Sequence, residues 1–145
     1  MRQKLRCIML VDDDRLTNFL NNIIIDKAGI SEHVERCHSV MSALNYLSSV
    51  LNKEVNCPLP DLIFLDMQIP EKSGWKFIEH YRLIKSDFEK QPIIIMLSSV
   101  ADSNDVLMAS HLEEVAAFYI KPLTPKILNT ILKNYNTQIS GRAKN

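Results

Sequence analysis

Short unbroken apolar runs alternate along this chain with stretches in which apolar residues return every three or four positions. Residues 7–11 form one such run, which stops at Asp12-Asp13-Asp14 and reads as a buried strand. Leu16, Phe19, Leu20, Ile23 and Ile24 then follow the i, i+3, i+4, i+7, i+8 spacing of an amphipathic helix. An Asp of the preceding triplet can cap its start, and Gly29 is placed to end it. Residues 33–38 are a weaker second strand, and Val40, Ala43, Leu44, Leu47 and Leu51 give a second helical stripe that Ser39 can cap. The stretch 52–60, with Asn, Lys and two prolines, reads as a loop with no assigned role.

The alternation continues to the end. Residues 62–65 predict a third strand that ends at Asp66. A loop through Pro70 and Gly74 then leads to a helix with Phe77, Ile78, Tyr81 and Ile84 on one face. Residues 93–97 predict a fourth strand ending in Ser98-Ser99, 103–112 a short fourth helix, and 116–120 a fifth strand ending in Lys121-Pro122. Thr124 followed by Pro125 is an N-cap with proline at the first helical position, and Ile127, Leu128, Ile131 and Leu132 face inward from a fifth helix. Strands alternating with helices imply right-handed crossovers and an α/β doubly wound, five-stranded parallel sheet with five helices on its two faces. Strands that are apolar throughout agree with burial on both sides.

Composition narrows the function. The 145 residues suit one domain, expected over 1–137 with a short tail at 138–145 and no output domain. Lys plus Arg number 17 and Asp plus Glu 17, a formal net charge of zero, so nothing electrostatic draws the chain to nucleic acid or to an anionic membrane. Cys7, Cys37 and Cys57 are odd in number and form no C-x-x-C pair; they are expected as small apolar residues in or near strands. The basic start Arg2, Lys4, Arg6 precedes an apolar run too short for a signal peptide or a transmembrane helix, and a cytoplasmic location is expected.

The strand ends carry the chemistry. Asp12-Asp13-Asp14, Asp66, Ser98 and Lys121 each follow a different strand. A parallel doubly wound sheet gathers such ends at one edge, near the point where strand order reverses. Clustered carboxylates either hold a proton or hold a cation, and hard oxygen donors with room for water favour Mg²⁺. A cation, an ammonium and a hydroxyl together suit a phosphoryl group, and a carboxylate in line with it can form an acyl phosphate.

These stretches resemble the receiver domain of bacterial two-component response regulators. Residues 8–14 are similar to the family's first strand and acidic pair, 62–70 with Ser73-Gly74-Trp75 to its phosphoacceptor strand and loop, 96–99 to its hydroxyl position, and 118–122 to its aromatic and Lys-Pro positions. The resemblance implies a flavodoxin-like sheet in the order 2-1-3-4-5. It implies that Asp66 accepts a phosphoryl group from a sensor histidine kinase or a histidine phosphotransfer protein. Asp13, Asp66 and the backbone carbonyl of Gln68 would bind Mg²⁺ directly, with Asp12 acting through water. Lys121 would pair with Asp66 and then with the phosphate. Ser98 would move toward the phosphate and let Phe118 rotate inward, changing a face made by the fourth helix, fifth strand and fifth helix that meets a downstream protein. The Lys121–Pro122 bond is expected to be cis.

Departures from the family pattern are small. Ser98 stands where Thr is commoner, Phe118 where Tyr is frequent, and Ser73 where Asp is common. Gln68 and Val100 occupy positions that tune hydrolysis in the family. Two alternatives remain: a haloacid-dehalogenase-type phosphatase, to which Asp12-x-Asp14 gives a superficial D-x-D, and a pseudo-receiver that binds protein without being phosphorylated. The first lacks the small or Thr residue after its motif, since Arg15-Leu16 follow, and lacks a later acidic pair. Relief of charge repulsion at either Asp12 or Asp13 is expected to raise the stability of the metal-free protein.

Overall fold

A computed structural model describes residues 4–67, 73–99 and 103–135. The expected tail at 138–145 lies outside them, as do Gln68, Pro70 and Val100. Strands β1 (Ile8–Val11), β2 (Val34–Cys37), β3 (Leu62–Asp66), β4 (Ile93–Ser98) and β5 (Val115–Ile120) alternate with helices α1 (Arg15–Ala28), α2 (Val40–Leu51), α3 (Ser73–Ile84), α4 (Ser103–Ser110) and α5 (Pro125–Asn134). A single 3-10 turn, Lys85–Asp87, follows α3. The strands form one parallel sheet in the order β2-β1-β3-β4-β5, as expected. The chain therefore goes one way from β1 and the other way from β3, and the reversal falls between these two strands.

The continuous apolar strands feed two cores. Met9, Val11, Ile63, Leu65, Ile94 and Met96 point to one face, where they meet α2 and α3. Their strand neighbours Ile8, Leu10, Leu62, Phe64, Ile95 and Leu97 point to the other, where Ile25, Leu128, Ile131 and Leu132 close over them. Alternation by one residue thus serves both faces without a polar position. In the first core Phe77 stacks on Tyr81 with centroids 6.2 Å apart, and Phe88 meets Tyr81 edge-on at 5.7 Å. β5 carries an irregularity: Ile94 pairs with Val115 but Ile95 with Ala117, leaving Ala116 as an extra residue. This shift lets Val115 and Phe118, three apart, pack on the same face. The Tyr135 hydroxyl donates to the Ala116 carbonyl at 3.0 Å and pins the bulge.

Helix ends follow the sequence. Asp14 caps α1, accepting from the Leu16 amide at 3.0 Å, and Gly29 closes it with φ 63°. Ser39 caps α2 through the Ser42 amide, and Thr124 caps α5 through Ile127. The Tyr46 hydroxyl donates to the Pro58 carbonyl at 2.6 Å and ties the 52–60 loop to α2. No described helix is long and apolar enough to cross a membrane.

The inward face of α1 differs from the expectation. Leu16 (62% exposed), Phe19 (50%) and Leu20 (49%) lie outside, whereas Asn18, Asn21 and Ile25 are buried. Of the apolar stripe, Leu20, Ile23 and Ile24 line a groove shared with Pro122, Leu123 and Pro125, and Ile24 also packs against the second core. The helix is rotated because Asn18 supplies hydrogen bonds that no apolar residue could. Cys7 and Cys37 are buried as expected, and burial pushes both thiols up to about 12, while Cys57 is exposed in the loop.

Candidate functional site

Two pairings set the corner. β1 and β3 run in register to Val11↔Leu65, so the next residue of each, Asp12 just past β1 and Asp66 at the end of β3, stand side by side. Both are almost fully buried, at 4% and 3% exposure. Asp13 follows on the open side, and carboxylate oxygens of Asp12, Asp13 and Asp66 lie within 4.8 Å of one another. The third acid of the triplet stands apart. Asp14 is spent on the helix cap, where the Thr17 hydroxyl, then the Leu16 amide, hold its carboxyl below the ordinary range. The superficial D-x-D of the phosphatase alternative therefore has its second carboxylate bound to the start of α1.

Lys121 enters from the far side of the sheet. β5 pairs with β4 to Ser98↔Ile120, and the Lys121 amide donates to the Ser98 carbonyl at 2.7 Å. Its Nζ lies 2.7 Å from Asp12 Oδ2 and 3.3 Å from Asp66 Oδ1. The expected pairing with Asp66 is thus shared with Asp12. Burial alone would lower the pKa of this ammonium, but the hydrogen bond it donates to Asp12 and the charges of Asp66 and Asp12 outweigh it and hold it above its ordinary value. The Lys121–Pro122 bond is cis, as the resemblance implied.

Ser98 ends β4 with its side chain buried. It stands one residue beyond Leu97, the partner of Asp66 in the β3–β4 pairing. Phe118 is half-buried against the core under α2 and α3. Gln68, the remaining expected metal ligand, lies outside the described residues.

Two residues of the corner have roles that the sequence reading did not assign. Gly74 opens α3 so close to β3 that a Cβ there would stand 2.9 Å from the Asp66 carbonyl oxygen and 3.2 Å from Met67 Cα. Asn18 is fully buried; its Nδ2 donates to the carbonyls of Asp12 at 3.0 Å and Cys37 at 3.1 Å and lies 3.1 Å from His38 Nδ1. Its Oδ1 is buried without a hydrogen-bond partner among the described residues. Such an orphan costs about 1–3 kcal/mol, which the two carbonyl contacts must offset. A glycine next to a motif and an asparagine within a helix are weak signals in a sequence; only the pairing of β1 with β2 and β3 gives them meaning.

The donor set suits a hard divalent ion. Three carboxylates and one ammonium leave a formal charge of −3 + 1 = −2, and every clustered donor is oxygen.

A doubly wound sheet with an acidic corner at its switch point and a lysine reaching in from the last strand is the arrangement of a signalling receiver module. Residues 8–133 match the family described as the response regulator receiver domain, and the chain belongs to that family. Among solved structures it is similar to a two-component response regulator from Cytophaga hutchinsonii, with 28% identity, a TM-score of 0.81, and coverage of 95% of this chain and 99% of that one. A response regulator receiver protein from Dyadobacter fermentans is 26% identical with a TM-score of 0.76, covering 90% and 98%. Among curated proteins it is 29% identical over 139 residues to the phosphate regulon transcriptional regulatory protein PhoB of Escherichia coli, covering 95% of this chain and 55% of that protein. The chain thus spans about half the length of the curated relatives it matches.

Proposed function

We propose that this receiver takes a phosphoryl group onto Asp66 from a phosphohistidine of a sensor histidine kinase or histidine phosphotransfer protein, in a Mg²⁺-dependent reaction. The reading is supported above all by one observation, the convergence of Asp12, Asp13 and Asp66 with a lysine that bridges two of them. A carboxylate oxygen of Asp66 forms the new bond to phosphorus as the phosphorus–nitrogen bond of the donor breaks, and the imidazole leaves as a neutral ring once protonated. Asp13, Asp66 and the Gln68 carbonyl would hold the ion, with Asp12 acting through water. Bound there, Mg²⁺ spreads the negative charge of the phosphoryl oxygens. Lys121 supplies a second positive charge to the same oxygens.

The switch follows from charge. A phosphoryl group on Asp66 gives Lys121 a stronger partner than Asp12, and Ser98, one position beyond the neighbour of Asp66, offers its hydroxyl to the new oxygens. Phe118 on the adjoining strand then repacks, and the face of α4, β5 and α5 meets its protein target in a changed shape. Phe118 has no hydroxyl, so this readout rests on packing alone.

Incubation with acetyl phosphate and Mg²⁺, followed by intact-mass measurement, tests the reading. Asp66→Asn is expected to abolish the label. A label that survives in Asp66→Asn but is lost in Asp12→Asn, with turnover of many substrates, would establish the phosphatase instead. No label in the wild type, with protein binding intact, would establish the pseudo-receiver.

A further inference from the structure

We propose that Asn18 is a positioning residue for the ion-binding corner, setting where Asp12 and Asp13 stand and so how tightly they hold Mg²⁺. This rests on the reading of the acids as an Mg²⁺ site. The Asn18 amide reaches the end of two strands at once: the Asp12 carbonyl, just past β1, and the Cys37 carbonyl, the last of β2. The same Cys37 carbonyl also accepts from the Asp12 amide at 3.0 Å, so Asp12 is held through both its N–H and its C=O. The two amide hydrogens of Asn18 are committed to carbonyls, and a flipped amide would turn Oδ1 against both of them. The orientation is therefore fixed, at the expense of an Oδ1 buried with no partner among the described residues. His38 Nδ1, at 3.1 Å from the same nitrogen, closes the outer side.

The clamp acts on the acids through the main chain. Asp12 Oδ1 accepts from the Asp14 amide at 2.9 Å, so the triplet folds back on itself around the point that Asn18 holds. With the Asp12 carbonyl released, the loop carrying Asp13 is free to turn, and the three carboxylates lose their common focus. Groups that orient ligands from behind commonly matter to ion affinity without touching the ion.

The test is an Mg²⁺ titration of the full chain followed by backbone amide chemical shifts, compared with thermal melting in chelator. Asn18→Leu is expected to raise the Mg²⁺ concentration at half-saturation by about tenfold or more. It is also expected to shift the Asp14 amide resonance in the metal-free protein. Asn21→Leu, a change at the other buried asparagine of α1, is expected to leave both unchanged. If Asn18→Leu melts lower but binds Mg²⁺ at the wild-type half-saturation, Asn18 only satisfies two carbonyls and the proposal falls. Should Asn18→Leu not fold, Asn18→Thr carries the same comparison with the same criterion. A wild type whose amides do not respond to Mg²⁺ would remove both this proposal and the site it serves, whereas a normal wild-type response with unchanged Asn18 variants removes this one alone.

Discussion

Lys121 stands 2.7 Å from Asp12 and 3.3 Å from Asp66, so its ammonium leans toward the acid that is not the proposed phosphoacceptor. Both carboxylates are nearly dry, and without the lysine two negative charges would share a buried corner. Lys121→Ala is expected to destabilise the metal-free protein by about 2–3 kcal/mol, somewhat below the cost of breaking a fully buried pair. Added Mg²⁺ should restore much of that loss by supplying the missing positive charge. Urea unfolding in chelator and in Mg²⁺ measures both. The pKa of Lys121 is raised in the folded protein above its ordinary 10.5, so the stability it contributes is fully present below that pH and is lost as pH rises through the raised value. The wild type should therefore weaken above pH 10.5 more than Lys121→Ala does.

Asp13 is the member of the cluster whose removal should strengthen the metal-free fold. It is exposed, whereas Asp12 is bound to Lys121 and to the Asp14 amide. Asp13→Ala is expected to gain about 1 kcal/mol in chelator after solvent screening, and to lose the Mg²⁺ response. Asp12→Ala leaves Lys121 without its nearer partner and should lose stability. The expectation that either substitution stabilises thus narrows to one. A melting series in chelator decides.

Gly74→Ala should disturb Asp66 from behind. The added methyl would meet main-chain atoms of Asp66 and Met67, which cannot rotate away as a side chain could. A loss of about 1–3 kcal/mol is expected, in the range of overpacked interiors. Acetyl phosphate labelling of the folded variant should slow, and an unchanged rate with full stability would show that α3 shifts freely.

At the opposite edge of the sheet, Glu114 receives Arg82 at 3.0 Å and Lys85 at 2.9 Å, joining the end of α3 to the approach of β5. The Arg82 hydrogen bonds, helped by Lys85, outweigh burial and hold its carboxyl at about 2. A lowered acid contributes stability above its ordinary pKa and loses it as pH falls, here from 4.5 toward 2. Glu114→Gln should cost about 1 kcal/mol or less at neutral pH, since its partners are partly solvated. Unfolding curves of wild type and variant should converge as the pH drops through that window.

Much of this was legible in the residues. Strands such as 62–65 are apolar throughout because both faces are covered, and each ends where a functional side chain begins. Caps at Asp14, Ser39 and Thr124 were readable because short polar side chains before apolar stripes have a local job. What could not be read was non-local. The stripe of α1 predicts the wrong buried face because burial there is decided by two carbonyls at other strand ends. Nothing in the sequence 115–120 marks Ala116 as a bulge, since its cause is the register with β4. Gly74 matters through a main chain that folding alone brings near.

The bulge has a last consequence. A parallel sheet leaves two open margins, each a template for a strand from another molecule. At the β5 margin, the extra residue bends the ladder and Tyr135 occupies the Ala116 carbonyl. At the β2 margin, Glu35 and Arg36 place charge along the rim. The molecule is thus guarded along both seams against fibrous self-association.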